Sequence, residues 1–253
     1  MHDVKLLLTG DVMTGRGIDQ VLAHPGDPVL HEPWVKDARD YVRLAEDRSG
    51  PIPRRVAPGY VWGEALAEMD RRAPQLRIVN LETAVTAAGA PWPGKGIHYR
   101  MHPDNITCLQ AARPDACVLA NNHVLDWGAA GLVDTLRVLR EAGIACAGAG
   151  VGEDEALRPA ALPLPGGSRV LVHAFCIGSS GVLPQWQAGP GRPGVARLAD
   201  LSDEQAAQIA ARVGRERQPG DLVVVSLHWG GNWGFDLAPA HRRFALALAG
   251  RGA

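Results

Sequence analysis

Short apolar runs alternate along the whole chain with segments whose apolar residues recur at helical spacing. The runs are brief and often β-branched, which is typical of strands buried in a sheet between helices. They predict strands over Val4–Thr9, Leu76–Val79, Ala116–Ala120, Ile144–Ala147, Val170–Phe175 and Leu222–Leu227.

Helices are predicted between these strands. The clearest covers Ala129–Ala142, where leucines recur on one face and Gly143 follows as a C-cap. Ser202 begins another, because Gln205 stands three residues later in the capping-box position. Further helices are predicted over Trp62–Arg72 and Pro239–Ala249. This order predicts an α/β fold with mostly crossover connections.

Three long segments without such periodicity are predicted to be loops on the substrate side of the fold. They cover His24–Pro33, Ser49–Tyr60 and Gly89–Pro103, and are rich in Pro, Gly, His and Arg. Loops of this length in a compact domain are usually functional. Four basic side chains near the expected mouth of the site are candidates for binding an anionic substrate, with solvated surface charges as the alternative: Arg16, Lys95, His98 and Arg100.

Composition indicates an ordinary globular chain and excludes some classes of partner. The 253 residues are 46% hydrophobic and 21% charged, and we expect one domain over residues 1–253. The net charge of -1 offers no basic field for nucleic acid. No apolar stretch reaches the ~18 residues that a membrane span needs, and no signal peptide is recognisable. The cysteines stand singly, without a CxxC pair, as expected of reduced thiols in a cytoplasmic protein: Cys108, Cys117, Cys146 and Cys176.

Polar residues of metal-binding type follow four of the predicted strands. They are Asp11 after the first, Asn80 and Glu82 after the second, Asn121–His123 after the third and His228 after the last. Ligands of open α/β sheets bind outside the carboxyl ends of strands, so we expect these loops to converge. Oxygen and imidazole donors suit manganese, iron, zinc or magnesium. The pattern therefore predicts a metal-assisted function.

Each of these residues also has an ordinary structural interpretation. Asp11 could cap a turn, Asn80 could be a turn residue, and His123 could be a hydrogen-bonded core histidine. Glu82 is harder to explain in this way, because burying an unpaired carboxylate is costly. The coincidence at four strand ends favours a shared site. A dinucleotide motif at Gly148–Gly152 is disfavoured, since Arg158-Pro159 ends the following helix early.

At these residues the sequence resembles the CapA family of poly-γ-glutamate biosynthesis proteins, in the calcineurin-like metallophosphoesterase superfamily. The resemblance rests on LLLTGDVMTGR, VNLETAVT, LANNHVLDWGAAGL and VSLHWGGNW, in that order. It implies a four-layer α/β/β/α sandwich, two packed sheets flanked by helices, with a metal site between loops at one edge.

The resemblance also implies a role for each matching residue. Asp11, Glu82, Asn122 and His228 correspond to metal ligands, His123 to the proton donor, and Asp126 to the residue that orients it. Met13 stands where many metallophosphoesterases have a histidine. The expected cofactor is one or two divalent ions, with manganese, iron or zinc preferred.

The chain departs from the family at its end. Family members continue to another strand and a histidine-containing block, whereas this sequence ends at LALAGRGA. We therefore expect a fold that lacks its C-terminal strands, with an uncovered edge beside Leu222–Leu227 and an exposed apolar face on the last helix. Dimerisation across that edge is left open.

Two functions are consistent with these residues and with the resemblance. One is a metal-dependent hydrolase of a phosphoester or a γ-glutamyl amide. The other is a non-catalytic component of poly-γ-glutamate synthesis or handling. In both, the partner is a small molecule or a γ-glutamyl polymer.

Overall fold

The computed structural model describes residues 3–252 and divides into two compact units. The first contains the residues up to Cys117 together with His123–Ala145. The second contains Val118–Asn122 and the residues from Cys146 onward. The prediction of a single domain stays a prediction.

The first unit is built from helices and a sheet that begins with the first strand of the chain. Its helices are α1 (Gly17–Val21), α2 (Ala38–Ser49), α3 (Ala65–Arg72), α4 (Thr107–Ala112) and α5 (Gly128–Glu141), with 3-10 turns at Tyr60–Trp62 and Pro103–Asn105. Its strands are β1 (Leu6–Val12), β2 (Leu76–Leu81), β3 (Ala84–Val85), β4 (Arg100–Met101) and β5 (Ala116–Val118). The boundary of the unit falls within β5 and within the next strand, β6 (Ala145–Ala147).

The sheet that contains β1 has the strand order β1-β2-β5-β6. β1 and β2 are parallel, and their register shifts between Thr9 and Asp11 so that Asp11 lies opposite Asn80. All six residues of β2 are buried, which explains why four of them are apolar and why its two polar residues, Arg77 and Asn80, are hydrogen-bonded. This register brings polar side chains from distant parts of the chain to the same end of two adjacent strands.

The second unit contains the remaining elements. Its strands after β6 are β7 (Ala149–Gly150), β8 (Ala160–Pro163), β9 (Arg169–Ile177), β10 (Gly194–Val195), β11 (Arg197–Leu198) and β12 (Leu222–His228). Its helices are α6 (Glu153–Leu157), α7 (Asp203–Glu216) and α8 (Pro239–Gly250), with 3-10 turns at Gly178–Ser180 and Pro184–Trp186.

The central strand of this unit is β9. It pairs in parallel with β11 and β12, and in antiparallel fashion with β8. Phe175 of β9 packs in one core with Ile209 of α7 and with Phe244 and Leu248 of α8. The expectation of an exposed apolar face on the last helix is therefore wrong for Phe244 and Leu248, because the helices and strands of its own unit cover them. β12 lies at an edge of its sheet, as expected.

The mixed α/β class with parallel strand pairing is confirmed, while the four-layer sandwich stays a prediction. Each predicted strand and helix is present with shifted ends, and Ser202 caps α7 by accepting a hydrogen bond from the Gln205 amide. α6 is short, as the Arg158-Pro159 pair indicates. Helix α2 and the β8–β9 hairpin were not predicted. Among residues 3–252, no helix has both the length and the apolar character needed to cross a bilayer.

Candidate functional site

Two carboxylates of the first unit share one amide. Asp11 lies within β1, which continues to Val12, three residues beyond the predicted end, so the expectation that Asp11 follows the strand is wrong. Glu82 follows β2 directly. The Asn80 amide nitrogen donates to Asp11 Oδ1 and to Glu82 Oε2, each at 2.7 Å. The two acids are thus held together by the side chain between them.

The surroundings of Glu82 favour its protonated form. Burial and the nearby Asp11 carboxylate raise the pKa of Glu82 to about 8, against the lowering effect of the Asn80 hydrogen bond. A pKa of about 8 places the protonated acid above the carboxylate in population at pH 7. Carboxylate oxygens are suitable ligands for a divalent cation, and such a cation can take the place of the proton on a buried acid. The residues present fit such an ion.

A second buried cluster surrounds Asp126, which is fully buried just before α5. His123 Nδ1 donates to Asp126 Oδ2 at 2.6 Å, and the Tyr99 amide donates to the same oxygen at 2.6 Å. Lys95 Nζ lies 2.6 Å from the other oxygen, Oδ1, and 3.1 Å from His123 Nδ1. Three donors therefore surround the Asp126 carboxylate.

This cluster controls the protonation and orientation of His123. Burial lowers the pKa of His123, although the hydrogen bond to Asp126 and its charge oppose the change. Burial likewise lowers the pKa of Lys95. The Tyr99 ring stacks on the imidazole, with centroids 3.9 Å apart and planes 22° from parallel. The contact of Nδ1 with Asp126 and the stacking of Tyr99 together fix the orientation of the imidazole.

Arg16 is held rigidly beside these rings. Its guanidinium pairs with buried Glu32 at 2.5 Å and lies 4.8 Å from the ring centroids of both Tyr41 and Tyr99. Its backbone has a φ of 49°, which is unusual for a residue with a side chain. Strained backbone of this kind concentrates at functional sites.

The other basic candidates are not solvated surface charges. Lys95 is paired with Asp126, as described. His98 is buried, and its Nε2 lies 3.0 Å from the Trp92 carbonyl oxygen. The guanidinium of Arg100 lies 3.6 Å from the centroid of the Trp127 ring. A substrate-binding role for these residues stays a prediction.

Two predicted metal ligands lie in the second unit and are in contact. His228, at the end of β12, has its Nε2 at 2.9 Å from Asn122 Oδ1. β12 continues one residue beyond its predicted end, so His228 is the last residue of the strand and pairs in register with Cys176 of β9. The Ser180 hydroxyl donates to the His228 carbonyl at 3.2 Å. The backbone carrying His228 is therefore anchored from both sides.

The sequence indicates neither the role of Asn80 nor the presence of Tyr99 in the site. Asn80 is a buried residue within β2, so both the expectation that it follows the strand and its interpretation as a turn residue are wrong; its signal is an amide among the apolar residues of β2. Tyr99 lies in a loop, where no local pattern marks a ring that will stack on a histidine. Asn80 joins its neighbour Glu82 to Asp11, 69 residues away, and Tyr99 stacks on His123 from a distant loop.

Comparison with known proteins identifies one family and several relatives. The model of a family described as "Bacterial capsule synthesis protein PGA_cap" matches residues 5–253. The chain is 46% identical over 250 residues to a protein of Mycobacterium tuberculosis named "probable polyglutamine synthesis accessory protein", covering 98% of this chain and 66% of the relative.

Two further relatives come from Bacillus. Identity to the capsule biosynthesis protein CapA of Bacillus anthracis is 30% over 159 residues, covering 61% of this chain and 36% of that protein. Identity to the PGA biosynthesis protein CapA of Bacillus subtilis is 24% over 246 residues, covering 96% of this chain and 53% of that protein. The chain thus spans two thirds or less of the length of these relatives.

Proposed function

The chain belongs to the PGA_cap family of bacterial capsule synthesis proteins, and from this membership we propose that it is a metal-dependent hydrolase acting in poly-γ-glutamate synthesis or handling. Its substrate is a phosphoester or a γ-glutamyl amide. The fold to which we assign this chemistry is the four-layer sandwich of metallophosphoesterases. Its location is the cytoplasm.

The observation that carries the proposal is the carboxylate pair of Asp11 and Glu82. Asn80 holds both acids at 2.7 Å, and burial together with Asp11 raises the pKa of Glu82 to about 8. A site that retains a proton on a buried acid beside a second acid gains a counter-charge from a divalent cation. We assign Asp11 and Glu82 as ligands, and keep Asn122 and His228 as the further ligands that the sequence predicts.

The chain's own residues supply the proton transfer. A divalent ion held by Asp11 and Glu82 would act as a Lewis acid on the scissile bond and would make water a better nucleophile. Asp126 fixes the imidazole of His123 through Nδ1, and its charge opposes the effect of burial by favouring the protonated ring, from which Nε2 would donate a proton to the leaving group. Lys95 balances the charge of Asp126. Tyr99 keeps the ring from rotating by stacking on it.

The alternative is a non-catalytic component of polymer synthesis. It is favoured by the word "accessory" in the name of the Mycobacterium tuberculosis relative. In that case the carboxylate pair holds a structural ion or a polymer-bound cation, and His123 has no substrate to protonate.

Elemental analysis of the purified chain, combined with turnover assays, tests both functions. We expect at least one divalent transition metal per chain and cleavage of a generic phosphodiester or a γ-glutamyl peptide. Asp11→Asn and Glu82→Gln should each lower metal content and rate. Asp47→Asn, the same change on the exposed surface of α2, is the matched control and should leave both unchanged.

Unchanged metal content in both acid variants would refute the ligand assignment. Metal lost in these variants, with no turnover of either substrate by the original chain, would favour the non-catalytic alternative.

A further inference from the structure

The second unit has a cavity of about 450 Å³ between α7 and the segment that contains β10 and β11. Its floor is apolar and includes Phe175, Leu198 and Ile209. Its walls are polar, and three of the lining residues are arginines: Arg197, Arg212 and Arg215.

These arginines give the cavity an excess of positive charge. Among the described residues that line it, Glu153 is the single acid, against three arginines. None of the three arginines forms an ion pair with an acidic side chain within residues 3–252, and the Nε of Arg197 is buried without a hydrogen-bond partner there. Arg197 and Arg212 are partly buried and Arg215 is exposed. The buried Nε of Arg197 is a donor that an anion in the cavity would satisfy.

The polar wall formed by α7 is a continuous stripe. Gln205, Gln208, Arg212 and Arg215 recur at three- and four-residue spacing, so they lie on one face of the helix over about 15 Å. Gln187 adds a third amide from the other wall. The stripe thus presents amide groups at one end and guanidinium groups at the other.

We propose that this cavity binds a segment of a linear, carboxylate-rich polyamide. Guanidinium forks bind carboxylates bidentately, and glutamine amides can both donate to and accept from the amides of such a chain. On one side of an extended peptide the side chains recur about every 7 Å, which two arginines one turn apart on a helix can reach with their flexible stems. The apolar floor contacts the methylene groups of the bound chain.

A compact phosphate is the less suitable ligand. It would occupy one guanidinium group, whereas the arginines and glutamines are spread along a helix face of about 15 Å. The site uses none of the residues assigned to the metal, and its occupancy can be measured without turnover. A failure of this binding proposal can therefore be distinguished from a failure of the proposed hydrolase activity.

Fluorescence anisotropy with labelled α-linked and γ-linked deca-glutamate, on the full chain, tests the proposal. We expect saturable binding of at least one oligomer and none of neutral deca-glutamine. Arg212→Gln and Arg197→Gln should each weaken binding about 10-fold or more, because each removes a charge-assisted contact. Arg243→Gln on α8 removes the same charge from an exposed position outside the cavity, and should change binding less than 2-fold.

Thermal unfolding of each variant verifies that it is folded, and Arg197→Lys, which keeps the charge, should recover part of the affinity. Three results would overturn the proposal: neither oligomer binds saturably, the Arg212 and Arg243 variants weaken binding equally, or inorganic phosphate displaces the oligomer at equal concentration. The last result would identify a simple phosphate site.

Discussion

His173 should make the stability of the protein depend steeply on pH. Its side chain is fully buried in β9, and neither ring nitrogen has a hydrogen-bond partner among the described residues. The nearest acid, Glu216 of α7, has its Oε2 4.0 Å from Nε2, which is too far for a hydrogen bond. Arg212, also on α7, repels the protonated ring.

The size of the effect follows from the pKa of the folded state. Burial, with a smaller contribution from Arg212, lowers the pKa of His173 from 6.5 to about 4. The unfolded chain therefore binds a proton that the folded chain excludes, and stability falls as pH decreases from about 6.5 towards 4. At about 1.4 kcal/mol per pKa unit the full loss is about 3 kcal/mol, of which about 2 kcal/mol falls between pH 7 and pH 5.

The measurement is urea unfolding at pH 7 and pH 5 for the original chain and for His173→Leu. The variant should be more stable at both pH values, because it removes buried unsatisfied nitrogens, and its loss on acidification should be smaller by about 2 kcal/mol. His24→Leu, at an exposed histidine, is the matched control and should lose as much stability between pH 7 and pH 5 as the original chain. Equal losses in the original chain and in His173→Leu would refute the reasoning, since other groups would then account for the pH dependence.

Two further predictions concern the site and the packing. His123→Gln should retain bound metal and lose on the order of 10²–10⁴-fold in turnover, and loss of metal instead would make His123 a ligand. Gly148→Ala should lower the free energy of unfolding by about 2–4 kcal/mol, because its φ is +90° and the new Cβ would lie 2.6 Å and 2.8 Å from those of Ala120 and Ala174. Gly214→Ala, in the last turn of α7 with open space around it, should raise stability by about 0.5–1 kcal/mol, and a similar loss in both variants would show that the close contact is not the cause.

Local patterns determined much of the fold. Strands such as β9 and β12 follow from their apolar runs, and α7 from its cap and stripe, because these signals act between neighbours in sequence. Helix α2 was missed even though Asp37 caps it by accepting from the Arg39 amide, because charged residues on most of its surface obscure the apolar stripe. The β8–β9 hairpin was missed since β8 is short and contains Pro163.

The sequence by itself determined which chemical groups the site could use: the acids Asp11 and Glu82, and the neighbours His123 and Asp126. Only the tertiary structure decided how they are joined. The parallel register of β1 and β2 puts Asn80 between two acids, and a loop folds Lys95 onto Asp126, 31 residues away. Such contacts depend on strand register and on loop closure, which are set by the packing of the whole unit and leave no periodic trace in the local sequence.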